Sequence, residues 1–197
     1  KAGHVPMLKG SPGVGKSDII SKLADDHKLK VIDLRLSQCD PTDLNGFPFL
    51  NEDRTKSGYV PMDTFPIEGD PIPEGYRGWL LLLDEMNSAA PAVQAAAYKV
   101  VLDKEVGQHR LHPRVAIIAA GNLATDRAIV HPMSTAMQSR MVHFELEVRS
   151  EDWVAWANEN EVDYRVTSYI NFKPGMLHNF DPTHNDNTFP CPRTWEF

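Results

Sequence analysis

The sequence predicts an α/β fold built on a parallel sheet of five strands, and three observations support that prediction. Five short apolar segments alternate with helical or irregular ones along the 197 residues, at 5–9, 30–36, 79–84, 114–120 and 141–146. Those at 79–84 and 114–120 are almost continuously apolar, which suits parallel strands buried on both faces. A glycine-rich turn joins the first segment to a helical stretch, so the chain opens with the strand–loop–helix order of an α/β protein.

The glycine-rich turn follows the strand at 5–9 and precedes a helix predicted over 17–27. It reads Gly10-Ser11-Pro12-Gly13-Val14-Gly15-Lys16-Ser17, which has the pattern G-x-x-x-x-G-K-[ST]. Small residues let consecutive backbone N–H groups surround phosphate oxygens, and the positive end of the helix adds to that attraction. In such loops the lysine reaches the β- and γ-phosphates and the hydroxyl ligates Mg²⁺. The sequence therefore predicts a nucleoside triphosphate site.

Two insertions interrupt the alternation of strands and helices. The first, residues 40–77, is rich in Pro, Gly and Asp, and its runs 47–50 and 57–60 flank a charged turn. That pattern predicts a projecting hairpin. The second insertion, residues 105–111, predicts a smaller hairpin centred near Gly107. Spacing alone leaves ordinary surface loops open for both.

Polar residues stand where two of the buried segments end. The segment 79–84 ends in Asp84-Glu85, and the next one, 114–120, is followed by Gly121-Asn122. Ligands of open α/β sheets bind at the carboxyl ends of the strands. We therefore expect Asp84 to hold Mg²⁺ through water and Glu85 to polarise an attacking water. Asn122 offers a donor and an acceptor to the same water, although solvated acids and a plain Gly-Asn turn remain open.

Three further helices are predicted, one in the α/β part of the chain and two at the start of its C-terminal part. A helix is predicted over 89–104, where valines and alanines recur on one face. Ser150 is predicted to cap a helix over 151–159, and a second helix is expected over 164–172. An irregular stretch, 173–192, then leads to Arg193.

Two arginines are candidate phosphate-binding residues. Arg140 directly precedes the last strand, and a guanidinium presents a fixed fork of donors that suits phosphate charge. A surface ion pair is the alternative for Arg140. Arg193 is expected to begin a lid helix with its charge toward the nucleotide, unless it is an ordinary arginine at a helix start.

These elements together resemble the AAA+ ATPases, most closely their MoxR-like and dynein-related branch. Residues 83–97, L-D-E-M-N-S-A-A-P-A-V-Q-A-A-A, are similar to that branch's D-E-[IL]-N-R-A-x-P-x-x-Q-x-A-L. Residues 10–17 look like its Walker A motif, G-x-P-G-x-G-K-[ST], and 40–46 look like its D-[LI]-x-G segment. The chain departs from the branch at three positions. Ser88 stands where the branch usually has an arginine, and Leu123 stands where it has a proline after the asparagine of the sensor 1 motif, which is Asn122 here. Met141 stands where it has a phenylalanine.

The resemblance implies an architecture. It implies the sheet order 5-1-4-3-2, with strands numbered along the chain, in a large α/β subdomain over 1–149. It makes 40–77 the helix-2 insert and 104–113 the pre-sensor-1 hairpin, both directed at the pore of a ring. Residues 150–197 would be the start of a small helical lid, truncated in this chain.

The resemblance also implies roles for individual residues in a Mg²⁺-dependent ATPase. Asn122 would be sensor 1, Arg140 the arginine finger that reaches a neighbour's ATP, and Arg193 sensor 2. The predicted catalytic residues are Glu85, Asn122, Arg140 and Lys16, and the predicted metal ligands are Ser17 and Asp84 of the Walker motifs. The predicted nucleotide-binding residues are Ser11, Pro12, Gly13, Val14, Gly15, Lys16, Ser17, Asp18 and Arg193.

The partners implied by the resemblance are further copies of the chain and a protein substrate. Members of the branch form rings, here expected to be hexameric in the full-length protein. A MoxR-type chaperone remodels or activates a protein partner, in this family often one with a von Willebrand factor A domain. A nucleic-acid motor or loader is the alternative, and a small-molecule kinase is disfavoured because Glu85 and Asn122 suit water activation.

Composition narrows the class of protein further. The net charge of −7 gives no overall attraction to nucleic acid or to an anionic membrane. The apolar runs are shorter than the roughly 20 residues of a membrane span. Cys39 and Cys191 lack metal-ligand spacing and are interpreted as reduced thiols. We therefore expect a cytoplasmic protein, and, because the chain starts without Met and stops at the predicted lid, part of a longer one.

Overall fold

The computed structural model describes residues 3–123, 130–181 and 188–196. The strands are β1 (Val5–Lys9), β2 (Leu29–Arg35), β3 (Phe47–Leu50), β4 (Ser57–Val60), β5 (Gly78–Asp84), β6 (Glu105–Val106), β7 (His109–Arg110), β8 (Val115–Gly121) and β9 (Met141–Glu145). The helices are α1 (Lys16–Asp26), α2 (Pro41–Asn45), α3 (Pro91–Asp103), α4 (Thr135–Gln138), α5 (Ser150–Glu159) and α6 (Tyr164–Phe172). No helix in these ranges is long and apolar enough to cross a membrane.

Five of the strands form one parallel sheet in the order β2-β5-β8-β1-β9. Numbered as first to fifth along the chain, they stand in the order 2-3-4-1-5, which confirms the predicted order read from its other end. Each strand lies within one residue of its predicted bounds. Because the strands are parallel, the turns after β1, β2, β5 and β8 all lie at the carboxyl edge of the sheet.

The core lies on both faces of the sheet, and β5 shows how one strand serves both. Six of its seven residues are buried, and Leu81 and Leu83 point into the cluster that includes residues of α2, α3 and α4. Leu80 and Leu82 point the other way, into a smaller cluster with Ile20 of α1. Burying one leucine side chain contributes about 1.5–3 kcal/mol to folding. The four leucines of β5 therefore stabilise the packing on both faces of the sheet.

Both predicted hairpins are present. Strands β3 and β4 pair antiparallel with Phe47 opposite Val60, and β6 pairs with β7 with Val106 opposite His109. A short helix, α2, precedes the first hairpin, and its start at Asp40 carries a capping box with Asp43. The backbone N–H of Asp40 donates to the Asp43 carboxylate at 2.8 Å.

The two hairpins contact each other. Gly107 at the tip of the second hairpin lies so near Tyr59 of β4 that a Cβ on Gly107 would stand 3.1 Å from the Tyr59 Cβ. The same Cβ would stand 2.3 Å from the carbonyl oxygen of Asn45, at the end of α2. The His109 Nε2 atom is 2.9 Å from the carbonyl oxygen of Tyr59. Lys99 of α3 donates to the Gly107 carbonyl and so ties the second hairpin to the core helix.

The C-terminal part differs from prediction at the start of α5. Helix α5 begins at Ser150 itself, with Arg149 at the cap position, so Ser150 is not the N-cap. Acidic Glu151 and Asp152 stand in the first turn of α5, where negative charge favours a helix start without a side-chain cap. Helices α5 and α6 pack through a small cluster of their own, Trp153, Ala157, Ile170 and Leu177.

The predicted lid helix at Arg193 is a single 3-10 turn, Pro192–Trp195. The Thr194 hydroxyl oxygen accepts from the Cys191 backbone N–H at 2.9 Å, which closes the turn locally. Short 3-10 pieces of this kind commonly connect or end other elements. Residues 182–187 of the predicted irregular stretch lie outside the described residues.

Candidate nucleotide-binding site

The loop after β1 turns the chain from strand to helix at the carboxyl edge of the sheet. Gly13 and Gly15 have φ angles of 76° and 86°, a left-handed backbone that glycine adopts without strain. Helix α1 begins at Lys16, one residue earlier than predicted, with Gly15 at its cap position. The loop therefore leads straight into the positive end of a helix, which is a ready site for phosphate.

A cleft of about 160 Å³ opens beside this loop. Its lining consists of Pro12, Gly13, Val14, Gly15, Lys16 and Ser17 from the loop, Asp84 and Glu85 after β5, Asn122 after β8, and Arg193. The structure thus brings together residues predicted from four separate places in the sequence. Ser11, Asp18 and Arg140 are not among the lining residues, and the role predicted for each residue stays a prediction.

Lys16 connects the loop to the end of β8. Its Nζ atom donates to the carbonyl oxygens of Gly10 at 2.7 Å and Ser11 at 3.0 Å. The same atom is 3.3 Å from Oδ1 of Asn122. An ammonium group and a neutral amide therefore stand together at the cleft, where the ammonium can meet phosphate charge.

Glu85 stands in a left-handed turn directly after β5, with φ of 53°. Its backbone N–H donates to Oδ1 of Asp84 at 2.8 Å, and its carboxylate accepts a hydrogen bond from the Ser37 hydroxyl. A non-glycine residue in this conformation is costly and is found disproportionately at functional sites. The turn fixes the directions of two adjacent carboxylates at the edge of the cleft.

Ser37 is a site residue that sequence reasoning missed. It lies in a 3-10 turn, Leu36–Gln38, directly after β2. Strand β2 borders β5, with Arg35 in register with Asp84, so the two strand ends are neighbours. The sequence feature that could have indicated this contact is a serine just beyond β2, the strand that borders β5 and its terminal acidic residues.

Asn87 is a second residue that was not singled out. It is 5% exposed, and its side-chain Nδ2 donates to the carbonyl oxygen of Asn122 at 2.7 Å. The backbone N–H of Asn122 donates in return to Oδ1 of Asn87 at 3.1 Å. The turn that carries Glu85 is therefore bonded to the turn that carries Asn122.

The segment 188–196 packs on the phosphate loop. The backbone N–H of Arg193 donates to the Gly13 carbonyl oxygen at 3.2 Å, and a Cβ on Gly13 would lie 2.3 Å from Sγ of Cys191. Cys191 is 3% exposed, whereas the Arg193 side chain is exposed at the cleft. This close approach requires a residue without a side chain at position 13.

Asp33 and Glu196 have raised pKa values. Partial burial raises the pKa of Asp33 on β2, and the nearby Asp84 charge raises it further; Arg35 lowers it, and the Glu85 charge adds a rise smaller than that lowering. Burial also raises the pKa of Glu196, followed by the charge of Asp18. Burial is the largest cause in both cases, and the charge of a neighbouring carboxylate adds to it.

The donors in the cleft fit a hard cation. Ser17 supplies a hydroxyl and Asp84 a carboxylate, and oxygen ligands of these kinds are those that Mg²⁺ prefers. Within the described ranges, no group of three or more His, Cys, Asp or Glu side chains could hold a metal by itself. Mg²⁺ bound with a nucleotide is commonly held by one or two protein oxygens together with phosphate oxygens and water.

Arg140 lies at the other edge of the sheet. Its carbonyl oxygen accepts from the backbone N–H of Val5, the first residue of β1, at 3.2 Å, whereas the phosphate loop follows the last residue of β1. The Nη1 atom of Arg140 bonds to the Ala136 carbonyl at 3.2 Å and to the Ser139 hydroxyl at 3.0 Å. The structure therefore does not bring Arg140 to the cleft of its own chain.

Comparison with known proteins gives a likeness of fold. No protein-family model matches the chain, and no curated protein matches its sequence. The crystal structure of a "putative ATPase" from Cytophaga hutchinsonii is similar, with a TM-score of 0.54 and 21% sequence identity. The match covers 87% of this chain and 48% of that one, so this chain spans about half the length of that protein. At that identity the likeness shows the α/β fold with its five-stranded parallel sheet.

Proposed function

We propose that this chain is the ATP-binding and ATP-hydrolysing module of an AAA+ ATPase that resembles the MoxR-like branch. One observation carries the proposal. Lys16, Ser17, Asp84, Glu85 and Asn122 come from three turns and line one cleft at the carboxyl edge of a parallel sheet. The neighbour from Cytophaga hutchinsonii shares the fold and is itself named a "putative ATPase", which agrees with the proposal.

In the proposed reaction the phosphate loop binds the triphosphate of ATP, and Lys16 meets its outer phosphates. Ser17 and Asp84 would hold Mg²⁺, which when bound offsets the charge of the phosphate oxygens. Glu85 orients a water molecule for attack on the outer phosphorus and takes up its proton. The bond from that phosphorus to the bridging oxygen breaks, and ADP leaves with that oxygen. Asn122, beside Lys16, holds the same water through its amide.

The active site is completed in this proposal by a second copy of the chain. Arg140 lies at the far edge of the sheet and outside its own cleft, which suits a residue that serves a neighbour. An arginine supplied in this way accelerates related hydrolases by about 10³–10⁵. Isolated chains should therefore be slow, and turnover per chain should rise with protein concentration as rings, expected to be hexameric, assemble.

The proposed substrate is a protein, with a partner carrying a von Willebrand factor A domain as the family precedent. The hairpin of β3 and β4 exposes apolar side chains, with Phe47 56%, Leu50 62% and Val60 52% exposed. Exposed apolar patches commonly mark sites of interaction with other proteins. The turn at 51–56 carries two acidic and two basic residues, so the hairpin has little positive charge with which to grip a phosphate backbone.

A nucleic-acid motor is the alternative, because exposed aromatic rings such as Phe49 and Tyr59 can stack on bases. The two candidates separate in an ATPase assay with single-stranded DNA added. Stimulation by DNA that disappears at moderate salt would favour the motor. Stimulation by an unfolded polypeptide alone would favour the chaperone.

The ATPase proposal itself is tested with a fluorescent ATP analogue and a phosphate-release assay. Glu85→Gln should bind the analogue like wild type and release phosphate at least about 100-fold more slowly, because the carboxylate is lost and the loop is not. Lys16→Ala should lose binding. The exposed Glu74→Gln, shortly before the amino end of β5, is the matched control and should change neither.

Three outcomes would contradict parts of the proposal. Absence of analogue binding by the wild type would reject nucleotide binding altogether. Unchanged turnover in Glu85→Gln would remove Glu85 from its role. Transfer of phosphate to a metabolite without release of free phosphate would identify a small-molecule kinase.

A further inference from the structure

Asn87 is a buried amide that the proposed chemistry does not use. It lies two residues after Glu85 and is 5% exposed. Its side chain binds both backbone polar groups of Asn122, donating to the carbonyl at 2.7 Å and accepting from the N–H at 3.1 Å. A single side chain thus holds a residue 35 positions further along the chain by two hydrogen bonds.

Asn87 is itself held at both sides by backbone hydrogen bonds. The N–H of Met86 donates to the carbonyl of Ala120 at 3.0 Å, and the N–H of His131 donates to the carbonyl of Asn87 at 2.7 Å. A Cβ on Gly121 would lie 2.4 Å from Oδ1 of Asn87, so the absence of a side chain at 121 permits the contact. The turns after β5 and β8 are therefore joined by hydrogen bonds into one unit.

The unit holds the backbone from which the Asn122 side chain extends. Oδ1 of Asn122 is 3.3 Å from Nζ of Lys16, and the backbone that carries that side chain has both polar groups bound by Asn87. Asn87 and Glu85 share one tight turn, closed by the bond from the Ser88 N–H to the Glu85 carbonyl at 2.9 Å. The position of Asn122 relative to Glu85 thus depends on the Asn87 amide.

We propose that Asn87 is a positioning residue for ATP hydrolysis, acting through Asn122 to set that residue against Glu85 and Lys16. The inference rests on the proposed ATPase function. It requires an amide at position 87, because the two groups bound are one donor and one acceptor. Aspartate would still accept from the Asn122 N–H but would face the Asn122 carbonyl with a second oxygen. Leucine would leave both buried groups unpaired.

The test compares Asn87→Asp and Asn87→Leu with Gln94→Met in the whole chain. Gln94 is a matched control: a buried amide, 8% exposed, that donates to the Ala89 carbonyl at 3.2 Å and does not line the cleft. Both Asn87 variants should lower kcat about 10–100-fold, as loss of a residue that orients a reacting group does, with KM changed by less than about threefold. Gln94→Met should leave both constants near wild type.

A double-mutant cycle separates positioning from general stability. If Asn87 acts through Asn122, Asn87→Asp should lower kcat by less than about twofold in an Asn122→Ala background. A loss of equal size in both backgrounds would overturn the inference. Where Asn87→Leu fails to fold because two buried groups are unpaired, the isosteric Asn87→Asp carries the kinetic test alone.

Hydrogen exchange at the Asn122 amide gives a readout independent of turnover. The exchange of the Asn122 backbone N–H should be faster than wild type in Asn87→Leu, because its acceptor is lost, and unchanged in Gln94→Met. If the wild type hydrolyses ATP and Asn87→Asp hydrolyses it equally fast, the inference is refuted and the ATPase proposal still stands. If the wild type neither binds nor hydrolyses ATP, the ATPase proposal fails, and the positioning role fails with it even where exchange shows the contact.

Discussion

Replacing Gly13 with alanine should destabilise the protein by about 2–5 kcal/mol, because two separate costs add at this position. The first cost is conformational. Gly13 has a φ of 76°, and a left-handed backbone costs a residue with a Cβ about 1–2 kcal/mol. The second cost is steric, because the new Cβ would stand 2.3 Å from Sγ of Cys191.

The steric cost follows from how Cys191 is held. It is 3% exposed, and its segment is tied to the loop by the Arg193 N–H, which donates to the Gly13 carbonyl at 3.2 Å. The sulfur therefore has little space into which to move, and overpacking of this kind costs about 1–3 kcal/mol. Without the sulfur, the nearest atom would be Cβ of Cys191 at 3.1 Å, a tight but tolerable contact.

Urea denaturation of four proteins separates the two costs: wild type, Gly13→Ala, Cys191→Ala and the double variant. In the Cys191→Ala background, Gly13→Ala should cost only the conformational part, about 1–2 kcal/mol. Gly75 is the matched control, since it has a φ of 82° and a Cβ at that position would have no neighbouring heavy atom within 4 Å. Gly75→Ala should cost the conformational part in both backgrounds. If Gly13→Ala costs the same with and without the sulfur, Cys191 does not pack on the loop.

Three further predictions concern charges at or beyond the cleft. Ser37→Ala removes a hydrogen bond to the Glu85 carboxylate, and phosphate release should rise while analogue binding stays constant, because the carboxylate is freed to orient water; slower release would assign Ser37 a supporting role instead. Arg140→Ala should bind ATP normally but hydrolyse it slowly, and mixing it with Glu85→Gln should restore turnover, whereas a mixture as slow as its parts would contradict action between chains. Burial and the charge of Asp84 raise the pKa of Asp33, so charged Asp33 is penalised in the folded state; Asp33→Asn should raise the melting temperature at neutral pH, and the gain should vanish as the pH falls below the ordinary carboxyl pKa.

The sheet was predictable because its signal is local. Runs such as the one in β5 are buried on both faces, so their apolar character marks the strand bounds to within one residue. The acids at 84 and 85 end such a run, and the parallel arrangement then places them at the phosphate loop. The strand order came from the resemblance to a family, because no local pattern specifies which strands are neighbours.

The contacts that join distant segments were not predictable from spacing. Ser37 reaches Glu85 only because β2 borders β5, and Asn87 reaches Asn122 only because β5 borders β8. Cys191 packs on Gly13, which lies 178 positions earlier in the chain. Neither a cysteine nor a glycine in the sequence indicates which distant residue it contacts. The prediction that Ser150 caps α5 was wrong for a different reason. Serine is a common N-cap residue, but the two acidic residues in the first turn of α5 also favour a helix start, so the helix begins one residue earlier.

Arg140 lies at one edge of the sheet and the cleft lies at the other. This arrangement limits the symmetry with which copies of the chain can assemble. If Arg140 serves the next copy, the simplest assembly stacks copies head to tail through a heterologous interface. Such an interface closes when its rotation divides a full turn and otherwise grows as an open helical filament. In every open stack, the copy at one end has a cleft that receives no Arg140 from a neighbour. Closing the stack into a ring would supply that arginine and so complete the remaining cleft.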